Sequence, residues 1–405
     1  MRKILKRIIS SAVVFVFIVF NMSFLFGCGK KDMGTVNIGV VRNDGASDEA
    51  ISRERYLIKM GEELDIKFDF TTVKSGEDEV EAINTYAEKG YDAIFLLSYN
   101  NIVDAVKAAE NKKMYTVLFG GQPKKDEYEK IKNLDYYLGS VSPDDDTEYE
   151  AGYNMAKYFS DIKNAESFTI YGGDISKGNF VHLCRLSGMI SYLCEDQTTS
   201  YDGVSKRADI AEKISAGFDI SKFKSEKYKI AEYFDSSDTE KIDSKLIKGM
   251  RDGGIFILSV CSGKELTKKA EKIKKSSEGI DFFNVGGFEA IVSDTAPLFD
   301  AGYSYNMGTY PSMLAPAIIL TLSAISGSKI SSPDANAPNV NINYRTSESK
   351  DEFLKILLSD NEKDGYLYDE DVIEHFSGNN YSEFVVLCEA DLKKATAIKE
   401  YFDKK

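Results

Sequence analysis

His182 and His375 are the only histidines in the chain, and neither has a cysteine or second histidine three or four residues away, the interval that sets two ligands on one helix face. Zinc binding and imidazole catalysis are therefore not expected. Cys184, Cys194, Cys261 and Cys388 form no Cys-x-x-Cys pair for zinc or redox exchange. Cys184 and Cys194 share a stretch, 181–194, that reads as a helix. Ten residues of helix separate α-carbons by about 15 Å, beyond disulfide reach, so buried thiols are expected. Asp144-Asp145-Asp146 lacks the spaced ligands of a calcium loop and reads as a solvated helix start. No Gly-x-Ser-x-Gly elbow, His-Glu-x-x-His pair or phosphate-binding loop occurs. The residues point to binding, with no enzyme activity, cofactor or metal expected.

Cys28 is set apart by what precedes it. Arg2, Lys3, Lys6 and Arg7 form a positive start, and residues 8–26 are apolar apart from Ser10, Ser11, Asn21 and Ser23. That is the layout of an export signal, although the apolar run is also about long enough to span a bilayer. Leu25-Phe26-Gly27-Cys28 resembles the bacterial lipobox, with Phe26 bulkier than the usual occupant. The resemblance implies a signal peptide over 1–27, diacylglycerol on Cys28, and a mature chain anchored on the extracytoplasmic face of the cell membrane. Several acyl chains hold stably where one does not.

Lys and Arg number 51 against 65 Asp and Glu, and losing residues 1–27 removes only basic ones. An acidic surface without clustered cations is not expected to bind nucleic acid. No tryptophan is present, so any ring stacking falls to Tyr or Phe.

The elements that must position a site follow from periodicity. After a tether at 28–35, strands read at 36–41, 66–73, 91–98 and 114–119, with helical apolar spacing at 48–64, 77–89 and 101–111 between them. The alternation resumes with helices at 146–159, 181–194, 239–250 and 264–275 and strands at 168–171, 228–234, 254–260 and 281–285. Strands alternating with helices predict parallel sheets covered on both faces. The first βα unit ends near residue 140, and 195–226 reads as an aperiodic insertion on the second. A strand at 301–306, a helix at 310–325 and a single strand at 339–345 follow. Beyond Thr346 the stripes Phe353, Ile356, Leu357 and Phe384, Val385, Leu387, Cys388, Leu392 predict a helical tail that packs on a domain.

Residues 90–121, GYDAIFLLSYNNIVDAVKAAENKKMYTVLFGG, resemble the type I periplasmic binding proteins, the ribose/galactose group related to the LacI regulators. The resemblance extends in order through GSVSPDDDTEYEAGYNMAKYF (139–159), RLSGM (185–189), VGGFE (285–289) and NVNINYRT (339–346). It implies an α/β fold of two Rossmann-like, doubly wound parallel-sheet domains on a three-segment hinge, here with a helical C-terminal extension. The implied lobes are 36–140 completed by 301–327, and 141–288 completed by 336–346, with the extension at 347–405. The resemblance places the first crossover at 139–159 and the second at 285–289.

The same resemblance implies a ligand cleft between the carboxyl ends of the two sheets. Residue by residue, Arg185 matches the arginine that reaches the ligand from the second lobe, Glu289 the acceptor after Gly-Phe, and Asn306 a polar amide on the returning strand. Loops of the first lobe add Asn43, Asp44, Ser98, Tyr99 and Asn100, with Phe119 as a ring beside Tyr99, Phe288 and Tyr310. Gly120-Gly121 and Cys261-Ser262 stand where sugar binders carry charged or amide residues, so a particular sugar is not implied. The implied function is capture of a small polar solute, sugar-like in class, by a monomeric lipoprotein for an ABC transporter permease. The alternatives are a sensor presenting its closed form to a membrane receptor or kinase, and the nucleoside-binding lipoprotein branch, whose acidic first loop DGASDEAIS (44–52) resembles.

Overall fold

The computed structural model describes residues 34–98, 100–215, 217–238, 241–276, 279–360, 366–378 and 380–388. The expected signal peptide, Cys28, Tyr99 and Leu392 lie outside them. The first lobe runs β1 (Val36–Arg42), α1 (Asp48–Leu64), β2 (Ile66–Thr72), α2 (Gly76–Glu88), β3 (Ala93–Leu97), α3 (Ile102–Asn111), β4 (Tyr115–Phe119), α4 (Lys125–Ile131) and β5 (Tyr137–Ser142). β1 is buried along most of its length, as befits a central strand of a parallel sheet covered on both faces. It pairs in parallel with β2, Val36 opposite Ile66, and with β3, Ile38 opposite Ala93. Helix starts are set locally: Ser47 caps α1 by accepting from Ala50 N–H, and Ser75 and Asp78 form a capping box on α2.

The second lobe begins with α5 (Asp145–Lys157), β6 (Ser167–Tyr171) and α6 (Phe180–Leu193). Asp144, the first residue of the acidic run, caps α5 by accepting from Thr147 N–H at 2.8 Å. The insertion is ordered: β7 (Ser200–Tyr201) pairs antiparallel with β8 (Phe223–Lys224), and α7 (Arg207–Ser215) buries Ile210 and Ile214 in the second lobe's core. Then come β9 (Lys229–Phe234), α8 (Ile242–Arg251), β10 (Phe256–Ser259), α9 (Lys264–Ser276), β11 (Asn284–Gly287) and β12 (Tyr303–Gly308). The chain closes with α10 (Ala315–Ile325), β13 (Asn339–Asn341), β14 (Arg345–Ser347), α11 (Lys350–Leu358), α12 (Glu370–Phe376) and α13 (Tyr381–Cys388).

Two six-stranded sheets result, ordered β13-β5-β4-β3-β1-β2 and β14-β12-β11-β10-β6-β9. The strand expected to return to the first lobe at 301–306 instead pairs with β11 in the second sheet, and only α10 packs on the first. The second crossing is therefore 309–314 and not 285–289. The single strand expected at 339–345 is two. β13 pairs parallel with β5 in the first sheet, β14 pairs antiparallel with β12 in the second, and Ile342–Tyr344 between them is the third crossing. Alternating polar and apolar residues look the same on either sheet, so the sequence showed strand character and not which edge each strand joins. Because crossings leave from the carboxyl ends of β5, β12 and β13, the carboxyl ends of the two sheets face each other. Among the described residues, no helix is long and apolar enough to cross a membrane.

α5 and α6 pack closely through their glycines. A Cβ on Gly152 would lie 1.9 Å from Arg185 O, and one on Gly188 2.0 Å from Tyr149 O. The glycine of the RLSGM motif is thus a packing requirement that fixes where Arg185 stands. Gly188→Ala is expected to destabilise the protein by about 1–3 kcal/mol through overpacking, measured as a lower urea midpoint with an unchanged slope.

Candidate ligand-binding site

The first-lobe face is organised by a carboxylate that the sequence reading did not single out. Glu79 on α2 is fully buried. Its Oε1 accepts from Asn100 N–H at 2.9 Å and Asn100 Nδ2 at 3.0 Å, and Oε2 accepts from Asn101 N–H at 2.9 Å. Ser98 Oγ rests on the same carboxylate and donates to Asn43 Oδ1 at 2.6 Å, which Asn100 Nδ2 also reaches at 3.2 Å. The loops after β1 and β3 are thereby locked together. Asn43, Ser98 and Asn100 are drawn into one hydrogen-bonded group.

Asp44 turns away from that group. Its Oδ1 accepts from Ala46 and Ser47 N–H, and hydrogen bonding from Ser47 and then Ala46 holds its carboxyl below the usual range. Phe119 is not brought to the cleft: it is buried in the first lobe's core, with the Arg53 guanidinium 5.2 Å above its ring. A cavity of about 170 Å³ opens beside Asn43 and Asp44, walled by Arg42, Glu49, Arg53, Glu54 and Phe70. Arg42 pairs with Glu54 at 2.8 Å, and Arg53 with Glu49, which also accepts from Thr309 Oγ1 at the second crossing. The four-residue interval Glu49–Arg53 was the sequence signal for that pair.

On the second lobe the focus is Arg185, on α6 and 7% exposed. Nε donates to Glu148 Oε2 at 2.6 Å, Nη1 to Val260 O at 2.8 Å and Nη2 to Tyr344 Oη at 2.8 Å, and the guanidinium carbon lies 3.6 Å over the Phe288 ring. Tyr344 Oη also donates to Glu148 Oε1 at 2.7 Å. The expected ligand arginine is thus first a structural hub. It joins α5, the end of β10 and the third crossing, leaving two of its N–H groups for other acceptors. Glu148 and Tyr344 were missed by sequence reasoning, since nothing local marks a residue whose partner is 37 or 159 positions away.

Glu289 and Asn306 hold each other's loop. Asn306 is fully buried; its Oδ1 accepts from Glu289 N–H and Tyr303 Oη, both at 2.9 Å, while Nδ2 donates to Glu289 O at 3.1 Å. Its amide is used at both ends by protein, which corrects the expectation of a ligand contact. The Glu289 carboxylate accepts from Ser262 Oγ and from Lys264 N–H at the start of α9, and burial pushes its pKa up. Tyr310 is buried away from the cleft, and Phe288 is the ring that remains there, half-buried under Arg185. Among the described residues, no group of three His, Cys, Asp or Glu side chains is arranged to hold a metal ion.

No family model matches the chain, and no curated protein matches it. Solved structures do. A periplasmic solute-binding protein of an ABC transporter from Actinobacillus succinogenes 130z, with bound D-allose, aligns with a TM-score of 0.58 at 14% identity over 79% of this chain and 99% of that one. A solute-binding protein from Bacillus halodurans C-125 with bound myo-inositol gives 0.53 at 12% over 80% and 98%, and a galactofuranose-binding protein 0.53 at 15% over 79% and 98%. The fold is that of the type I periplasmic binding proteins.

Arg185→Ala would strand Glu148, itself 4% exposed, without its counter-charge. A loss of about 3–5 kcal/mol is expected, and Arg185→Met with Glu148→Leu should recover most of it in denaturant titrations. His182 supplies a second test. Its Nδ1 accepts from Asp174 N–H at 2.9 Å, and burial, with the nearby Arg185 charge, holds its pKa down to about 4 against 6.5. The unfolded chain then binds more protons between those values. Stability is full above pH 6.5 and falls as pH drops toward 4, by at most about 1.4 kcal/mol per pH unit. His182→Gln should flatten urea-measured stability over that window.

Proposed function

We propose that the protein is an extracytoplasmic solute-binding lipoprotein, anchored through Cys28, that captures a small polar solute between its lobes and delivers it to an ABC transporter permease. The observations that carry this reading are two polar groups at the carboxyl ends of two hinged sheets: Asn43, Ser98 and Asn100 on the first lobe, and the Arg185–Phe288 pair on the second. Amide and hydroxyl groups on one side and an aromatic face with residual guanidinium N–H on the other suit a ligand with several hydroxyls and a flat apolar side. The sugar and inositol ligands of the structural neighbours support the same class.

A thermal-shift screen of residues 29–405 against pentoses, hexoses, inositols and nucleosides tests the proposal. A ligand at a hundred times its dissociation constant stabilises by about 2.7 kcal/mol, which moves the midpoint by several degrees. A hit that is lost in Asn100→Ala while the unliganded midpoint holds supports the cleft. A flat screen on folded, ligand-free protein rejects this solute class.

A further inference from the structure

Two arginines occupy positions in the first lobe that periodicity assigns to its core. Arg42 follows Val40 by two residues on β1 and so shares the face that packs on α1, while Arg53 stands one turn before the buried Leu57 on α1 itself. Apolar side chains would fill both positions without removing a charge from water. The two side chains are 13% and 22% exposed, and their guanidiniums lie 4.9 Å over the Phe70 ring and 5.2 Å over the Phe119 ring. Both line the cavity of about 170 Å³ between α1 and the carboxyl end of the sheet. A guanidinium has five N–H donors, and each of these is paired with one carboxylate: Arg42 Nη2 lies 2.8 Å from Glu54, and Arg53 Nη2 donates to Glu49. Both Nε atoms are shut off from solvent, and no acceptor among the described residues reaches either. A buried N–H without an acceptor is costly, so the arrangement is completed by a group in the cavity that accepts from them.

The walls narrow the chemistry of that group. The unpaired atoms are donors, so the occupant must bring acceptors, which an ammonium lacks. Asp44, Glu49 and Glu54 outnumber the two arginines on the wall, so an anion would add charge to a wall already net negative. A hydroxyl meets both demands, accepting from a guanidinium and donating to a carboxylate. Val40, Leu57, Leu97 and Phe70 form an apolar floor for C–H groups. The cavity, about 170 Å³, is smaller than the roughly 300–1,000 Å³ of sites for drug-sized ligands. It suits a single ring and not the base and ribose of a nucleoside together.

We infer that this cavity is the seat of the solute on the first lobe, that Arg42 and Arg53 hydrogen-bond the solute there, and that the solute is a neutral single-ring polyol, a monosaccharide or cyclitol. The inference rests on the solute-binding reading above and sets the ligand under α1, beside the Ser98–Asn100 loop. Asn43 joins the two places, since it lines the cavity while its Oδ1 accepts from Ser98 and Asn100. Glu49 also accepts from Thr309 Oγ1 in the second crossing, which ties the seat to a segment that joins the lobes.

Calorimetric titrations of residues 29–405 with D-ribose, D-galactose, D-allose, myo-inositol, D-glucuronate and adenosine test this, with Arg42→Met, Arg53→Met and Arg53→Lys beside the parent. Glu54 and Glu49 are 33% and 37% exposed, so removing either arginine leaves its carboxylate in reach of water. One of the four neutral polyols should bind at least tenfold more tightly than glucuronate or adenosine. Each methionine variant, with native circular dichroism, should weaken that binding by roughly tenfold or more, as expected for a hydrogen bond from a charged donor. Arg53→Lys should not restore it, because lysine keeps the charge and lacks the Nε–H. In arginine ¹⁵N spectra of the parent, the Nε–H signals of Arg42 and Arg53 should shift on binding, a readout that holds even where a variant fails to fold. Polyol binding with those signals unmoved, or retained in both methionine variants, would overturn the seat and leave the solute-binding reading standing, with water alone as the acceptor. Tightest binding of glucuronate or adenosine would overturn the neutral single ring. No binding of any probe to folded, ligand-free protein would overturn the solute-binding reading and this inference with it.

Discussion

The charge of Arg185 has to be buried where α6 meets α5, and much of the second lobe is arranged around that requirement. Gly152 and Gly188 let the two helices approach until no side chain fits between them, which sets the guanidinium beside Glu148. A cation removed from water is stable only with close counter-charge and saturated hydrogen bonding. Glu148, Val260 O and Tyr344 supply both, and Phe288 covers the remaining face. Because Tyr344 belongs to the third crossing and Phe288 follows β11, the hub fixes the hinge and one wall of the cleft at once.

The first lobe solves a related problem with the opposite charge. Glu79 is buried under the β3 loop and accepts backbone and side-chain donors from Ser98, Asn100 and Asn101, so the polar groups proposed to meet a solute are held by a group that is itself buried. Preorganised donors of this kind lose little entropy when a ligand arrives. The cleft is therefore framed on each side by a buried ion whose partners are the site's own loops.

Residues expected at the ligand divide along the same line. Asn43, Ser98 and Asn100 come together because they end adjacent strands β1 and β3, an adjacency that parallel βα topology imposes. Asn306 and Glu289 meet each other instead, since β12 lies next to β11 in the second sheet and places the amide against the Glu289 backbone. Phe119 ends β4 on the face that packs against α1 and α10, so its ring went to the core and Arg53 lies over it.

The sequence by itself determined the alternation of strands and helices, the near-twofold repeat of βα units, the helix caps at Ser47, Ser75 and Asp144, and the amphipathic stripes of the extension. Each of these is local, resting on period, capping chemistry or turn residues within a few positions. Tertiary structure alone decided that the segment 339–347 is two strands in two sheets, that 303–308 stays in the second lobe, and that Arg185, Glu148 and Tyr344 form one cluster. It also decided that Val372, Ile373, Phe384 and Leu387 of the extension pack into the first lobe's core. These depend on which edge a strand joins and on which buried charge finds which partner across more than a hundred residues, and such choices are made by burial and desolvation in the folded chain, where sequence spacing carries no record of them.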